Sequence, residues 1–172
     1  NWTRLVGQVA RQGGRRFVCN APWQVGLFAD PGALELVAGP FCNASNPLAL
    51  EQLRRLGFSA AFVSPELGGE DFLALPEHSP LPLGVVLSGY WPMGVSRIKP
   101  DTVRHGMPFT SPKGEAFWTR AFGPNLWIYP GWPIELESHR VELEQAGYTL
   151  FARLQDTTPD ETAGTTRSSV FN

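Results

Sequence analysis

The stretch "NPLALEQLRRLGFSAAFVS", residues 46–64, decides the predicted fold, because it reads as a helix followed at once by a buried strand. Asn46 is a good N-cap, Pro47 suits the first helical position, and Gly57 stands where helices commonly end in the left-handed conformation. The apolar residues expected on one face of this helix are Ala49, Leu53 and Leu56. The strand over 58–64 is apolar throughout, which is typical of a parallel sheet covered on both faces.

The same alternation of strands and helices extends in both directions along the chain. Further strands are predicted over 15–20, 34–41, 82–91, 125–132 and 148–156, with a short helix within 68–79 and a helix over 133–147. The segment 107–122 reads as a β-hairpin around the turn 111–114. Strands joined by helices imply right-handed crossovers and a mainly parallel sheet. The predicted class is therefore α/β, with half to two-thirds of a TIM-like (β/α) barrel and an inserted hairpin.

The length favours a fragment, because an eight-fold barrel takes about 250 residues. We expect a single α/β domain over 1–156, belonging to a longer chain, and a flexible tail or linker over 157–172, which is rich in Thr, Ser and Gly. No run of eighteen apolar residues is present, so no transmembrane helix is expected. With no signal-like segment at the start, the expected location is the cytoplasm.

The charge and the metal-ligating residue types argue against several functions. A formal charge of −2 gives no electrostatic case for binding nucleic acid. The chain has two cysteines, Cys19 and Cys42, both in apolar stretches, so buried free thiols are expected. Its histidines, His78, His105 and His139, do not cluster in the sequence. Neither a metal site nor a cofactor is predicted.

Polar residues placed just after buried strands are the candidate site. Glu66 follows the strand over 58–64, where a barrel carries its chemistry, and is a candidate general acid or base. The turn "SGYWPMGVSR", residues 88–97, ends on Ser96 and Arg97, a candidate site for a carboxylate or another anion. Simpler interpretations stay open, with Glu66 near a helix N-terminus and Arg97 on a solvated turn. Several aromatic residues near the strand ends, Tyr90 among them, are either core or the walls of an apolar cleft.

Four motifs in order carry a family resemblance. The stretches "FCNASNPLALEQLRRLGFSAAFVSPEL" (41–67), "LPLGVVLSGYWPMGVSR" (81–97), "SPKGEAF" (111–117) and "YPGWPIELESHRVELEQAGYTLFARL" (129–154) resemble collagenase-like peptidases of family 32, of unclassified catalytic type. The similarity spans 35–156 and matches the C-terminal half of that family's TIM-type barrel. It implies hydrolysis of peptides at the barrel mouth. Catalytic roles are expected for Glu66 and Arg97, and substrate-binding roles for Asn43, Asn46, Ser64, Tyr90 and Ser96.

Two alternatives accompany the peptidase hypothesis. In other branches of the family a Cys follows the turn, and iron–sulfur proteins there support hydroxylation of RNA bases or of a quinone. Here "SRIKPD" (96–101) follows and no Cys occurs after Cys42, so any such cluster needs thiolates from outside this chain. The second alternative is a non-catalytic ligand-binding or scaffold module. The expected partners are a peptide or another small ligand, and the missing N-terminal half or a second copy; no membrane or nucleic acid is expected.

Overall fold

The computed structural model describes residues 2–98 and 107–155, and has a mixed α/β fold. The described chain divides into two compact units, the first comprising 2–86 and 139–152 and the second 87–98, 107–138 and 153–155. The predicted tail over 157–172 and His105 lie outside the described residues. Within the described residues, no helix has both the length and the apolar character that crossing a bilayer demands.

The secondary structure follows the predicted alternation of strands and helices. The strands are β1 (Arg16–Cys19), β2 (Glu35–Ala38), β3 (Ala60–Phe62), β4 (Leu83–Gly89), β5 (Gly94–Ser96), β6 (Phe109–Thr110), β7 (Ala116–Phe122), β8 (Asn125–Pro130), β9 (Ile134–Glu135) and β10 (Tyr148–Arg153). The α-helices are α1 (Trp2–Arg11), α2 (Pro47–Arg55), α3 (Gly69–Ala74) and α4 (Arg140–Ala146).

A mainly parallel sheet has the strand order β1-β2-β3-β4-β10, and β9 pairs with β4. The pairs β1–β2, β2–β3 and β3–β4 are all parallel. Val85 and Val86 in β4 are both buried, as are Leu36 and Val37 in β2, so adjacent residues pointing to opposite faces are covered alike. The expectation of a mainly parallel sheet is therefore confirmed.

Helix α2 begins and ends where its sequence signals place it. The Oδ1 atom of Asn46 accepts a hydrogen bond from the Ala49 N–H at 2.9 Å, and Gly57 has a φ of 96°. The expected buried face is wrong in part, because Leu50 and Leu53 are the buried residues and Leu56 is exposed. The helix ends at Arg55, which leaves Leu56 in the C-cap rather than on the packed side.

The helix predicted over 133–147 is shorter than expected. Only Arg140–Ala146 is α-helical, and Ile134–Glu135 forms β9, antiparallel to the end of β4. The Leu136 N–H donates to the Leu87 carbonyl at 2.7 Å, so the strand pairing takes the backbone groups that a longer helix would use. Gly147 ends α4 with a φ of 112°, as its position indicated.

The second unit contains a four-stranded antiparallel sheet, in the order β5-β8-β7-β6. The predicted hairpin is confirmed, because β6 pairs antiparallel with β7 and the Gly114 N–H donates to the Ser111 carbonyl at 2.9 Å. The strand predicted over 125–132 is β8, but it pairs antiparallel with β7 and with β5. Trp118 is fully buried in this unit, and its Nε1–H donates to the Pro130 carbonyl at 3.1 Å.

Candidate functional site

The carboxyl ends of β1, β2 and β3 lie at one edge of the first unit's sheet, because these strands are parallel. The loop after β2 and the loop after β3 are joined there by backbone pairing. Ala44 forms a parallel bridge with Val63, and the Ser64 N–H donates to the Ala44 carbonyl at 2.8 Å. The structure thus brings the loop that carries Asn43 and Asn46 alongside the loop that carries Ser64 and Glu66.

The loop after β2 is held in an unusual conformation at Asn43. Its φ is 53°, and among the described residues it is the one non-glycine position in the left-handed region. The Asn43 N–H closes a tight turn by donating to the Pro40 carbonyl at 3.0 Å, and its side chain is exposed. Asparagine tolerates this conformation better than most residues, and such local strain is often found at functional sites. Asn46 differs, because its side-chain oxygen is engaged in starting α2.

The loop after β3 presents Glu66 from a turn supported by Ser64. Ser64 is only 2% exposed, and its Oγ atom accepts a hydrogen bond from the Glu66 N–H at 3.3 Å. The Glu66 residue itself is exposed. A serine-supported turn of this kind fixes the backbone from which the carboxylate projects. The arrangement therefore offers a solvent-accessible carboxylate that can accept a proton or a hydrogen bond at the edge of the sheet.

The remaining predicted residues, Tyr90, Ser96 and Arg97, lie in the second unit. The Tyr90 ring meets the Trp118 ring edge-on, with the centroids 5.7 Å apart. The Ser96 hydroxyl donates to the Ile98 carbonyl at 2.9 Å and accepts from the Ile98 N–H at 3.0 Å, so it is engaged in a local turn. Arg97 is exposed. The seven predicted site residues are thus divided, four in the first unit and three in the second.

The two cysteines meet near the same edge, which their sequence positions did not indicate. The Cys42 thiol donates to the Cys19 carbonyl at 3.2 Å. Burial raises the pKa of both thiols, that of Cys42 to about 11, so the thiolate form is disfavoured. Within residues 2–98 and 107–155, no three His, Cys, Asp or Glu side chains come together in a way that could hold a metal ion. Two protonated thiols do not fit the four thiolates of an iron–sulfur cluster.

The antiparallel sheet carries an aromatic face that was only partly anticipated from the sequence. This face includes Trp118, Arg120 and Phe122 of β7, Trp127 and Tyr129 of β8, and Val95 of β5, which share it by strand alternation. The Trp118 and Tyr129 rings stack with their centroids 4.2 Å apart, and the Arg120 guanidinium lies 5.1 Å from the centre of the Phe122 ring. Phe122 is 44% exposed and Val95 is 55% exposed. A partly exposed cation among aromatic rings is suited to binding flat or anionic groups.

The chain has no matching counterpart in comparisons with protein-family models, with curated proteins and with solved structures. Two geometries therefore carry the functional argument. The first is the paired loops that carry Asn43, Ser64 and Glu66, and the second is the aromatic face of the antiparallel sheet.

Proposed function

We propose that the chain forms part of a TIM-like barrel protein, similar to collagenase-like family 32 peptidases, that hydrolyses peptides in the cytoplasm. The observation that supports the barrel part of this proposal is the strand order β1-β2-β3-β4, which follows the chain order with parallel pairing throughout. In a barrel, each parallel strand lies beside the strand that precedes it in the chain. In a doubly wound sheet, the strand order instead reverses at a switch point.

Under this proposal the peptide binds at the carboxyl edge of β1–β3. Glu66 would serve as general base toward the attacking water, because a carboxylate is a suitable proton acceptor when held within hydrogen-bond reach. Ser64 would position Glu66 indirectly, since its hydroxyl accepts a hydrogen bond from the Glu66 N–H. The Asn43 amide would hydrogen-bond the peptide backbone. Arg97 belongs to the second unit, and the catalytic role expected for it stays a prediction.

The test is turnover of gelatin and of fluorogenic peptides by the full chain. Glu66→Gln keeps the size of the side chain but removes its basicity, and loss of a general acid or base lowers the rate by about 10²- to 10⁴-fold. Glu77→Gln is the matched control, because Glu77 is also an exposed carboxylate of the first unit. Equal rates in these two variants, or no turnover by the unmodified chain, would remove Glu66 from the catalytic role.

The aromatic face favours a second candidate function, a non-catalytic binding module. Here a peptide, or a flat anionic ligand, would lie against Trp127 and Arg120. Such a module hydrolyses nothing, but a ligand at 100 times its Kd stabilises the fold by about 2–3 kcal/mol. Trp127→Ala should abolish the ligand-induced shift in Tm, whereas Trp23→Ala, at a 67% exposed tryptophan of the first unit, should keep it. A shift lost equally in both variants would argue against the aromatic face.

A further inference from the structure

Helix α1 presents an apolar stripe that its own unit leaves exposed. We define this α1 stripe as Trp2, Leu5 and Val9, which are 69%, 51% and 40% exposed. At 3.6 residues per turn, the three side chains fall within an arc of about 60°. Isolated exposed apolar residues are ordinary on protein surfaces, whereas an aligned set indicates a contact surface.

The helix packs against its unit with a neighbouring side, and so the stripe does not serve the unit's own core. Val6, Gly7 and Ala10 are the half-buried residues of α1, and no residue of the helix is fully buried. The 3-10 turn Pro22–Leu27 contacts α1 and exposes a further aromatic side chain, Trp23. The α1 stripe therefore lies beside the half-buried side of the helix rather than beneath it.

The charge around the stripe has a single sign. Residues 1–29 contain four arginines and no Asp or Glu. Arg16 is paired with Glu35 at 2.8 Å, which leaves Arg4, Arg11 and Arg15 to set the local charge. A second copy packed antiparallel on the stripe would bring like charges together, so the charge disfavours self-association. It is complementary to an anionic surface.

We propose that α1 lies in the interface of an anionic lipid membrane, with the α1 stripe among the acyl chains and its arginines at the phosphate groups. A clear polar face with Arg, opposite a face with Trp and Leu, is the pattern of helices that lie on membranes. A peripheral contact of this kind involves no spanning helix. At ten residues the helix is about 15 Å long, so the binding is weak and reversible. This inference is independent of the proposed peptidase activity.

The experiment is flotation of the full chain with vesicles of phosphatidylcholine, alone or mixed with phosphatidylglycerol. At roughly fivefold per arginine near the surface, three arginines favour the anionic vesicles by about 100-fold. Leu5→Gln should weaken this binding by about tenfold or more, because it removes one inserted side chain. Leu48→Gln is the matched control, since Leu48 is an 80% exposed leucine on helix α2 of the same unit.

The double variant Arg4→Gln/Arg11→Gln tests the charge separately, and should reduce the preference for anionic vesicles by about 25-fold. Equal binding of Leu5→Gln and Leu48→Gln would overturn the proposal, as would equal binding of the unmodified chain to both vesicles or to neither. A concentration-dependent dimer that Leu5→Gln abolishes would assign the stripe to a second copy instead. Capture by polyglutamate without any binding to vesicles would assign it to an acidic protein.

Discussion

Replacing Tyr148 by Phe should destabilise the first unit by about 1–2 kcal/mol at neutral pH, the cost of leaving a buried acceptor without its donor. Tyr148 begins β10 and is only 2% exposed. Its hydroxyl donates to the Phe72 carbonyl of α3 at 2.9 Å, so the variant keeps the ring and loses one bond between the helix and the strand. Tyr90→Phe is the matched control, because among the described residues the Tyr90 hydroxyl makes no hydrogen bond.

The same variant should alter the response to alkali. Burial raises the pKa of Tyr148 above the ordinary value of 10.0, so the unfolded chain loses this proton first as the pH rises. The stabilising contribution of the phenol is complete below pH 10 and declines above it. Urea unfolding, followed by far-UV circular dichroism, measures the free energy of unfolding at pH 7 and near pH 10.5. The gap in this free energy between the unmodified chain and Tyr148→Phe should be smaller at the higher pH. A gap that is absent at pH 7, or unchanged at high pH, would refute this reasoning.

Two further predictions concern the packing at Gly84 and the N-cap of helix α2. Gly84→Ala should lower the free energy of unfolding by about 1–3 kcal/mol, because overpacking a core is costly. Its new Cβ would lie 2.8 Å from ring carbons of Phe62, whereas Gly94→Ala, with nothing within 4 Å, should change the stability by less than about 1 kcal/mol. Asn46→Ala should cost about 1 kcal/mol by removing the cap of α2, and Asn46→Ser should restore most of it. Urea unfolding measures the stability of each variant. Equal stability of the two glycine variants would contradict the first prediction, and equal stability of Asn46→Ala and the unmodified chain would contradict the second.

The parts of the fold that were predictable are those with local signals at both ends. Asn46, Pro47 and Gly57 bracket α2 by cap chemistry, which depends only on neighbouring residues. The hairpin around Ser111 and Gly114 was likewise predictable from its turn residues. In both cases the backbone conformation is determined by contacts a few residues apart.

Pairing partners could not be derived in the same way. The apolar run over 125–132 fits a parallel or an antiparallel strand equally well, and the deciding feature is the tight turn at Gly123, where Phe122 pairs with Asn125. Helix α1 was not predicted from the sequence, because Gly7 and the valines lower its helix propensity, although its apolar residues recur at helical spacing. The contact of Cys42 with the Cys19 carbonyl depends on two loops meeting at one edge, and no spacing encodes it.

The candidate site could not be derived from local signals either. The contacts in the structure distinguish Glu66 from the residues of the turn 88–97. In that turn Tyr90 packs on Trp118, and the Ser96 hydroxyl is engaged with Ile98. The Met93 N–H donates to the Ile128 carbonyl at 2.9 Å, so the segment serves to attach β5 to the antiparallel sheet. A motif whose side chains and backbone already hold a turn and a sheet together has a structural reason for its sequence. Glu66 has none of comparable strength, because its carboxylate projects from a turn that Ser64 supports through the backbone alone. A functional role is therefore better sought at Glu66 than in the turn 88–97.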